Sequence, residues 1–104
     1  MPEALTRTEG PRVQFTVRGR TFAYWMDYGR EDTPLSICCK APPSENTRLI
    51  AHDPERFFMP KYLGPKGWLA FRLDLRQVDW SEAERLLADS YALVAPSRLA
   101  ALLA

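Results

Sequence analysis

Residues 56–74 read RFFMPKYLGPKGWLAFRLD and combine an aromatic run, a tight turn and a strand. In the GPKG turn at residues 64–67, proline presets φ at the second position and the glycines tolerate unusual torsions, so the turn presents Lys66 at its tip. Side chains alternate after the turn with the period of two that is typical of a strand. Leu69, Phe71 and Leu73 form an aliphatic face, and Trp68, Ala70 and Arg72 form the opposite, mixed face.

A hairpin is predicted upstream of this stretch, over residues 13–27. Apolar and polar side chains alternate on both sides of Gly19-Arg20, and glycine first in a two-residue loop is typical of a type II′ turn. Turn geometry fixes the register of the two strands. The expected pairs are Val17 with Phe22, Phe15 with Tyr24 and Val13 with Met26 on the buried face, and Gln14 with Trp25 on the open face.

The remaining segments predict a single α+β domain over residues 1–104. Residues 1–11 hold at most one helical turn, a third strand covers residues 35–40, and a short helix follows Pro42-Pro43 and ends at Asp53. A second helix begins at Asp79, and its apolar stripe packs on the sheet. The stripe consists of Ala83, Leu86, Leu87, Tyr91 and Val94. The predicted fold is a two-layer antiparallel β-sheet with helices packed on one face.

Composition argues for an ordinary globular protein, with 46% hydrophobic and 26% charged residues in a chain of 104. No apolar run approaches the ~20 residues of a membrane span, and the start MPEALTRTEG lacks the apolar core of a secretory signal. We therefore expect a cytoplasmic protein without a membrane partner. Adjacent Cys38 and Cys39 are interpreted as free thiols, and neither they nor His52 have the spacing of a metal site. No cofactor, metal or catalytic motif is predicted.

The chain resembles the MmcQ/YjbR family from about residue 13 to residue 103. The resemblance lies in the predicted order of elements and in three segments, RFFMPKYLGPKGWLAFRLD, VDW and DSYALVAPSRLAALL. The resemblance implies a small α+β protein described as DNA-binding-like, with a double-wing arrangement. It supplies no catalytic residues. Family members usually carry a longer N-terminal helix, so residues 1–11 are expected to leave one sheet edge incompletely covered.

Charge is distributed unevenly, which bears on nucleic-acid binding. The net charge is only +1, but residues 1–76 hold 12 Lys or Arg against 9 Asp or Glu. Basic side chains at the loop tips could contact phosphates, with weak and largely non-specific affinity for DNA. The candidate nucleic-acid-binding residues are Arg18, Arg20, Arg30, Lys61, Lys66 and Arg72.

The open sheet face offers a second route, because exposed rings beside cations suit single-stranded nucleic acid. Its predicted members are Gln14, Thr16, Arg18, Trp25, Lys40, Trp68 and Arg72. The structural alternative is that Trp25 and Trp68 simply pack within the protein.

Two further hypotheses remain at this point. The first is a protein- or small-ligand-binding module that uses an apolar groove around Phe57, Phe58, Tyr62 and Trp68 instead of nucleic acid. The second is a homodimer, because an uncovered strip beside Val13, Phe15 and Met26 would favour burial against another subunit. The competing outcome is that Leu99, Leu102 and Leu103 fold back over this strip.

Overall fold

The computed structural model describes residues 1–29 and 34–103, and within them six strands form one antiparallel sheet. The strands are β1 (Ala4–Glu9), β2 (Arg12–Val17), β3 (Arg20–Met26), β4 (Ser36–Cys39), β5 (Phe57–Phe58) and β6 (Leu69–Arg72). The helices are α1 (Glu45–His52), α2 (Trp80–Val94) and α3 (Ser97–Ala100), with 3₁₀ turns at Gly64–Lys66 and Ala101–Leu103. The strand order is β1-β2-β3-β4-β6-β5, which confirms the predicted α+β class.

The hydrophobic core lies between the sheet and α2, which contacts β3 and β4. We call this side of the sheet the helix face and the other side the open face. The buried core residues are Val17, Phe22, Ala23, Ile37, Cys39, Phe57, Leu69, Phe71, Leu73, Ala83, Tyr91, Val94 and Leu99. The predicted stripe of α2 faces this core, although Leu86 and Leu87 are only half-buried.

Helix α2 begins where its sequence predicts, because the Asp79 side chain accepts a hydrogen bond from the Glu82 backbone N–H at 3.1 Å. That bond satisfies one of the free donors of the first turn. The helix ends at Val94, two residues before Pro96. No helix in the described part of the chain combines the length and apolar character that crossing a membrane requires.

The prediction of a helical turn within residues 1–11 is wrong, because Ala4–Glu9 of this segment form strand β1. β1 pairs with β2 from Ala4 opposite Val17 to Glu9 opposite Arg12. Four of the six residues of β1 are exposed, and only Ala4 packs against the core, which suits a short edge strand that is held by its pairing with β2. The sheet edge beside Val13 and Phe15 is therefore occupied by β1.

The β2–β3 hairpin also differs from its prediction, because its turn lies one residue earlier. Arg18 and Gly19 both have positive φ, 51° and 75°, which is the signature of a type I′ turn. Val17 consequently pairs with Arg20, and a register shift between Phe15 and Thr16 leaves Phe22 as an extra residue on β3. The bulge sends both Phe22 and Ala23 to the helix face.

The bulge exchanges the faces of the two following aromatic residues. Trp25 packs against the core on the helix face, and Tyr24 lies on the open face, so both predicted assignments are wrong. Alternation along a strand has a period of two, so one extra residue reverses every later side chain. Met26 consequently moves to the open face as well.

Candidate functional site

A cavity of about 460 Å³ opens on the side of the sheet away from α2. Its volume falls in the range of small-molecule sites. Four of its lining residues are aromatic, and we call it the aromatic cavity. The lining consists of Arg12, Tyr24, Met26, Tyr28, Ser36, Phe58, Met59, Pro60, Lys61, Tyr62, Leu63 and Ala70.

Strand register explains why the sheet is hollow at this place. One row of paired residues crosses four strands in the order Tyr24, Cys38, Ala70 and Phe58. The outer two side chains are aromatic and the inner two are small, so the row is tall at its ends and low in its middle. In the next row Ser36, another small residue, pairs with Met26. The floor of the cavity is thus made by small side chains at the centre of the sheet.

The wall of the cavity comes from the loop between β5 and β6, residues 59–68, which is held by its own hydrogen bonds. The Gly64 N–H donates to Pro60 O at 2.8 Å, and the Trp68 N–H donates to Leu63 O at 3.2 Å. The buried Asn46 side chain of α1 donates to Gly64 O at 3.1 Å and to Trp68 O at 3.0 Å. These bonds make the loop a defined wall of the cavity.

Tyr62 is the most unusual residue of this wall. It is 90% exposed, and its φ of 66° lies in the left-handed region that residues other than glycine seldom adopt. The loop holds it there through the flanking bond from the Leu63 N–H to Lys61 O at 2.7 Å. The positive φ is unfavourable for the folded state, whereas the exposed ring adds no burial energy, and backbone outliers of this kind concentrate at functional sites.

Two cationic side chains, Arg12 and Lys61, line the cavity, and its described lining contains no carboxylate. The Arg12 guanidinium lies 5.2 Å from the centroid of the Tyr24 ring and donates to the Glu9 carboxylate at 2.9 Å. This hydrogen bond holds the pKa of Glu9 below its ordinary value. Arginine has five N–H donors, so one carboxylate contact does not exhaust it.

The structure places the predicted loop cations at different parts of the molecule. Arg18 forms a two-bond ion pair with Glu3, at 2.6 and 3.0 Å, and Arg72 forms one with Asp74, at 3.0 and 2.9 Å. Arg20 is exposed beside the β2–β3 turn. The exposed Lys66 is at the turn before β6, Lys61 lines the aromatic cavity, and Arg30 lies outside the described residues.

The two predicted aromatic residues do not form an exposed stacking surface. Trp25 is on the helix face, as described above. Trp68 is on the open side but only 5% exposed, with its ring centroid 5.7 Å from that of Tyr24. Its role is packing beside the cavity. Of the predicted apolar groove, Phe58 and Tyr62 line the aromatic cavity, whereas Phe57 is in the core.

Sequence reasoning missed Arg12, Tyr24 and Tyr28 as site residues. Each lies on or next to the β2–β3 hairpin, where the bulge changes the face. The small residues at the cavity floor carried a usable signal, because Ser36 and Ala70 fall on one face of neighbouring strands. That signal could be read only once β4 was known to pair with β6.

The cysteines do not add a nucleophile to this site. Cys38 and Cys39 are both buried free thiols. Burial raises the pKa of the Cys39 thiol to about 11 and raises that of Cys38 further. The reactive species of cysteine is the thiolate, which is therefore scarce at neutral pH.

Comparison with known proteins identifies a family and a solved structure with a similar fold. The model of the family described as YjbR matches residues 1–93. The chain belongs to the YjbR family. Its fold is similar to that of the Deinococcus radiodurans protein DR2400, a crystal structure with a DUF419 domain. The TM-score is 0.72 at 25% identity, over 90% of this chain and 70% of that chain. No functionally curated protein matches this YjbR-family chain.

Proposed function

We propose that this YjbR-family protein is a binding module whose ligand site is the aromatic cavity. The observation that carries the proposal is the row Tyr24, Cys38, Ala70 and Phe58, which hollows the centre of the sheet between two rings. A concave, mostly apolar site with a few polar groups is the usual form of a small-molecule site. Arg12, Ser36 and Lys61 supply those polar groups here.

Weak nucleic-acid binding through the loop tips is the second candidate. Arg20 and Lys66 favour it, because both are exposed and neither forms an ion pair within the described part of the chain. The ion pairs of Arg18 and Arg72 count against a larger patch, since each would have to exchange a carboxylate for a phosphate. Few phosphate contacts give weak and strongly salt-dependent binding.

The proposal is tested with 8-anilinonaphthalene-1-sulfonate, an anionic aromatic dye that becomes fluorescent when it leaves water for an apolar site. We expect saturable binding to the folded protein. Tyr62→Gly, which removes one of the four aromatic rings of the lining, is expected to weaken dye binding by about five-fold or more, as for loss of one stacked ring. Trp80→Ala is the matched control, because Trp80 is 57% exposed on α2 and lies outside the cavity.

Absence of dye binding, or equal weakening by Tyr62→Gly and Trp80→Ala, would contradict the proposal. A parallel anisotropy titration with labelled single- and double-stranded DNA across a salt series tests the second candidate. Loop-tip binding predicts a linear fall of log affinity with log salt, and a shallower slope in a variant carrying both Arg20→Gln and Lys66→Gln. Such a result without dye binding would replace the cavity proposal.

A further inference from the structure

We infer that the aromatic cavity takes an anionic ligand with a planar aromatic ring, the chemistry of a nucleoside monophosphate, and that Tyr62 stacks on this ring. The inference rests on the proposed function and adds the ligand class and the recognition residue. Two independent observations support it: the conformation of Tyr62 and the charge of the cavity lining.

The conformation of Tyr62 indicates a missing stacking partner. The residue is 90% exposed, and its backbone is in the left-handed region. Glycine would relieve the strain at this position, so the tyrosine side chain is retained at a cost in stability. Tyr62 lines the same cavity as Tyr24, Tyr28 and Phe58. A planar ligand entering there would gain stacking contacts that water does not offer.

The charge of the lining selects the sign of the ligand. Arg12 and Lys61 are the charged residues of the described lining, and because Arg12 is already ion-paired with Glu9 at 2.9 Å, an anionic ligand would bind the remaining N–H donors of Arg12. An aromatic cage can also bind quaternary ammonium groups, but it attracts them through ring faces that a competing cation does not occupy. Here the Arg12 guanidinium already lies over the Tyr24 ring, at 5.2 Å. The lining therefore complements a phosphate or a carboxylate and disfavours a cationic ligand.

The ordering of the loop makes this site preformed. The Asn46 side chain fixes the loop by donating hydrogen bonds to the carbonyls of Gly64 and Trp68. Its Nδ2 also lies 3.5 Å from the Sδ atom of Met59, another lining residue. A wall that is already ordered loses little conformational entropy when ligand binds. Tyr62 and the cavity floor are thus held ready for a flat ligand.

The same chemistry occurs in free mononucleotides and in single-stranded nucleic acid, and calorimetry separates them. The probes are AMP, adenosine, ribose 5-phosphate, choline and a short single-stranded oligonucleotide. AMP is expected to bind at least about ten-fold more tightly than adenosine, which lacks the charge, and than ribose 5-phosphate, which lacks the ring. An oligonucleotide that binds much more tightly than AMP would identify a strand as the source of the ligand, and equal affinity would identify the free nucleotide.

Variants assign the roles within the site. Tyr62→Gly removes the ring and relieves the backbone strain, so the variant should remain folded while AMP affinity falls by about 5- to 150-fold, the effect of losing one stack. Tyr62→Phe should restore most of that affinity. Arg12→Gln should weaken AMP and leave the weak binding of adenosine unchanged. Arg20→Gln is the matched control, because Arg20 is outside the cavity, and it should leave AMP binding unchanged.

Several results would overturn the inference. If adenosine binds as tightly as AMP, the charge of the ligand does not contribute to binding. If Tyr62→Gly binds AMP as tightly as the parent chain does, Tyr62 does not stack on the ligand. Choline bound more tightly than AMP would reverse the sign of the ligand. If the dye binds in the aromatic cavity and AMP does not, the ligand class is wrong while the proposed function stands. If neither binds, both are wrong.

Discussion

Asn46→Ala is expected to destabilise the fold by about 2 kcal/mol and to loosen the wall of the aromatic cavity. The Asn46 side chain is 5% exposed, and its amide group donates one hydrogen bond to Gly64 O and one to Trp68 O. Gly64 O keeps a second donor, the Gly67 N–H at 2.9 Å, so loss of the hydrogen bond from Asn46 to Gly64 O costs about 1 kcal/mol. Trp68 O loses a buried donor, at about 1–3 kcal/mol. Alanine returns about 0.5 kcal/mol through its better helix propensity in α1.

Urea denaturation measures this change. With a slope of about 2 kcal/mol per molar urea, the midpoint should fall by about 1 M. His52→Ala is the control, because His52 is an exposed residue at the other end of α1 and should change stability by less than about 0.5 kcal/mol. Hydrogen exchange should also accelerate at the Gly64 and Trp68 amides in Asn46→Ala. A change in stability below about 0.5 kcal/mol, or unchanged exchange in the loop, would refute the reasoning.

Three other predictions follow from the core, the termini and the sheet edge. Because burial raises the thiol pKa of Cys38 and Cys39, Ellman's reagent should react with neither in the folded protein and with both after unfolding. The folded state keeps these protons above the ordinary thiol pKa of about 8.5, so the free energy of unfolding should fall as pH rises above that value. Replacing both cysteines by alanine should flatten this fall; an unchanged slope would contradict it. Tyr91→Phe should cost about 1 kcal/mol, seen as a melting temperature lower by roughly 4 °C, because the buried hydroxyl donates to Pro2 O at 2.5 Å. Homodimerisation stays a prediction, now through the outer edge of β1; light scattering should show a dimer that Leu5→Glu disrupts, and a monomeric parent chain would contradict it.

The self-association hypothesis loses its original basis in the structure. It assumed an uncovered strip beside Val13 and Phe15, and β1 fills that edge. Leu99 is buried in the core, while Leu102 is 66% exposed and the Leu103 side chain lies outside the described part. On the edge strand β1 itself, Leu5 is 68% exposed. An edge strand with an exposed apolar side chain is a common place for pairing between chains.

Local sequence signals determined most of the secondary structure. The Asp79 cap, the apolar stripe of α2 and the alternation after Gly67 each depend on residues a few positions apart, so they can be interpreted without the rest of the chain. They were sufficient for the α+β class and for one layer of the core. The sequence did not predict the N-terminal strand, because Ala4–Glu9 has little apolar alternation and is a strand only by pairing with β2.

The aromatic cavity was decided by tertiary structure alone. A type I′ turn at Arg18-Gly19 and a bulge at Phe22 moved Tyr24 to the open face, a change of one residue that alternation cannot reveal. Ser36 and Ala70 became a floor only when β4 paired with β6, since their small side chains had to meet in neighbouring rows. Sequence specifies which side chains share a strand face, but the register between distant strands decides which of them surround the same space.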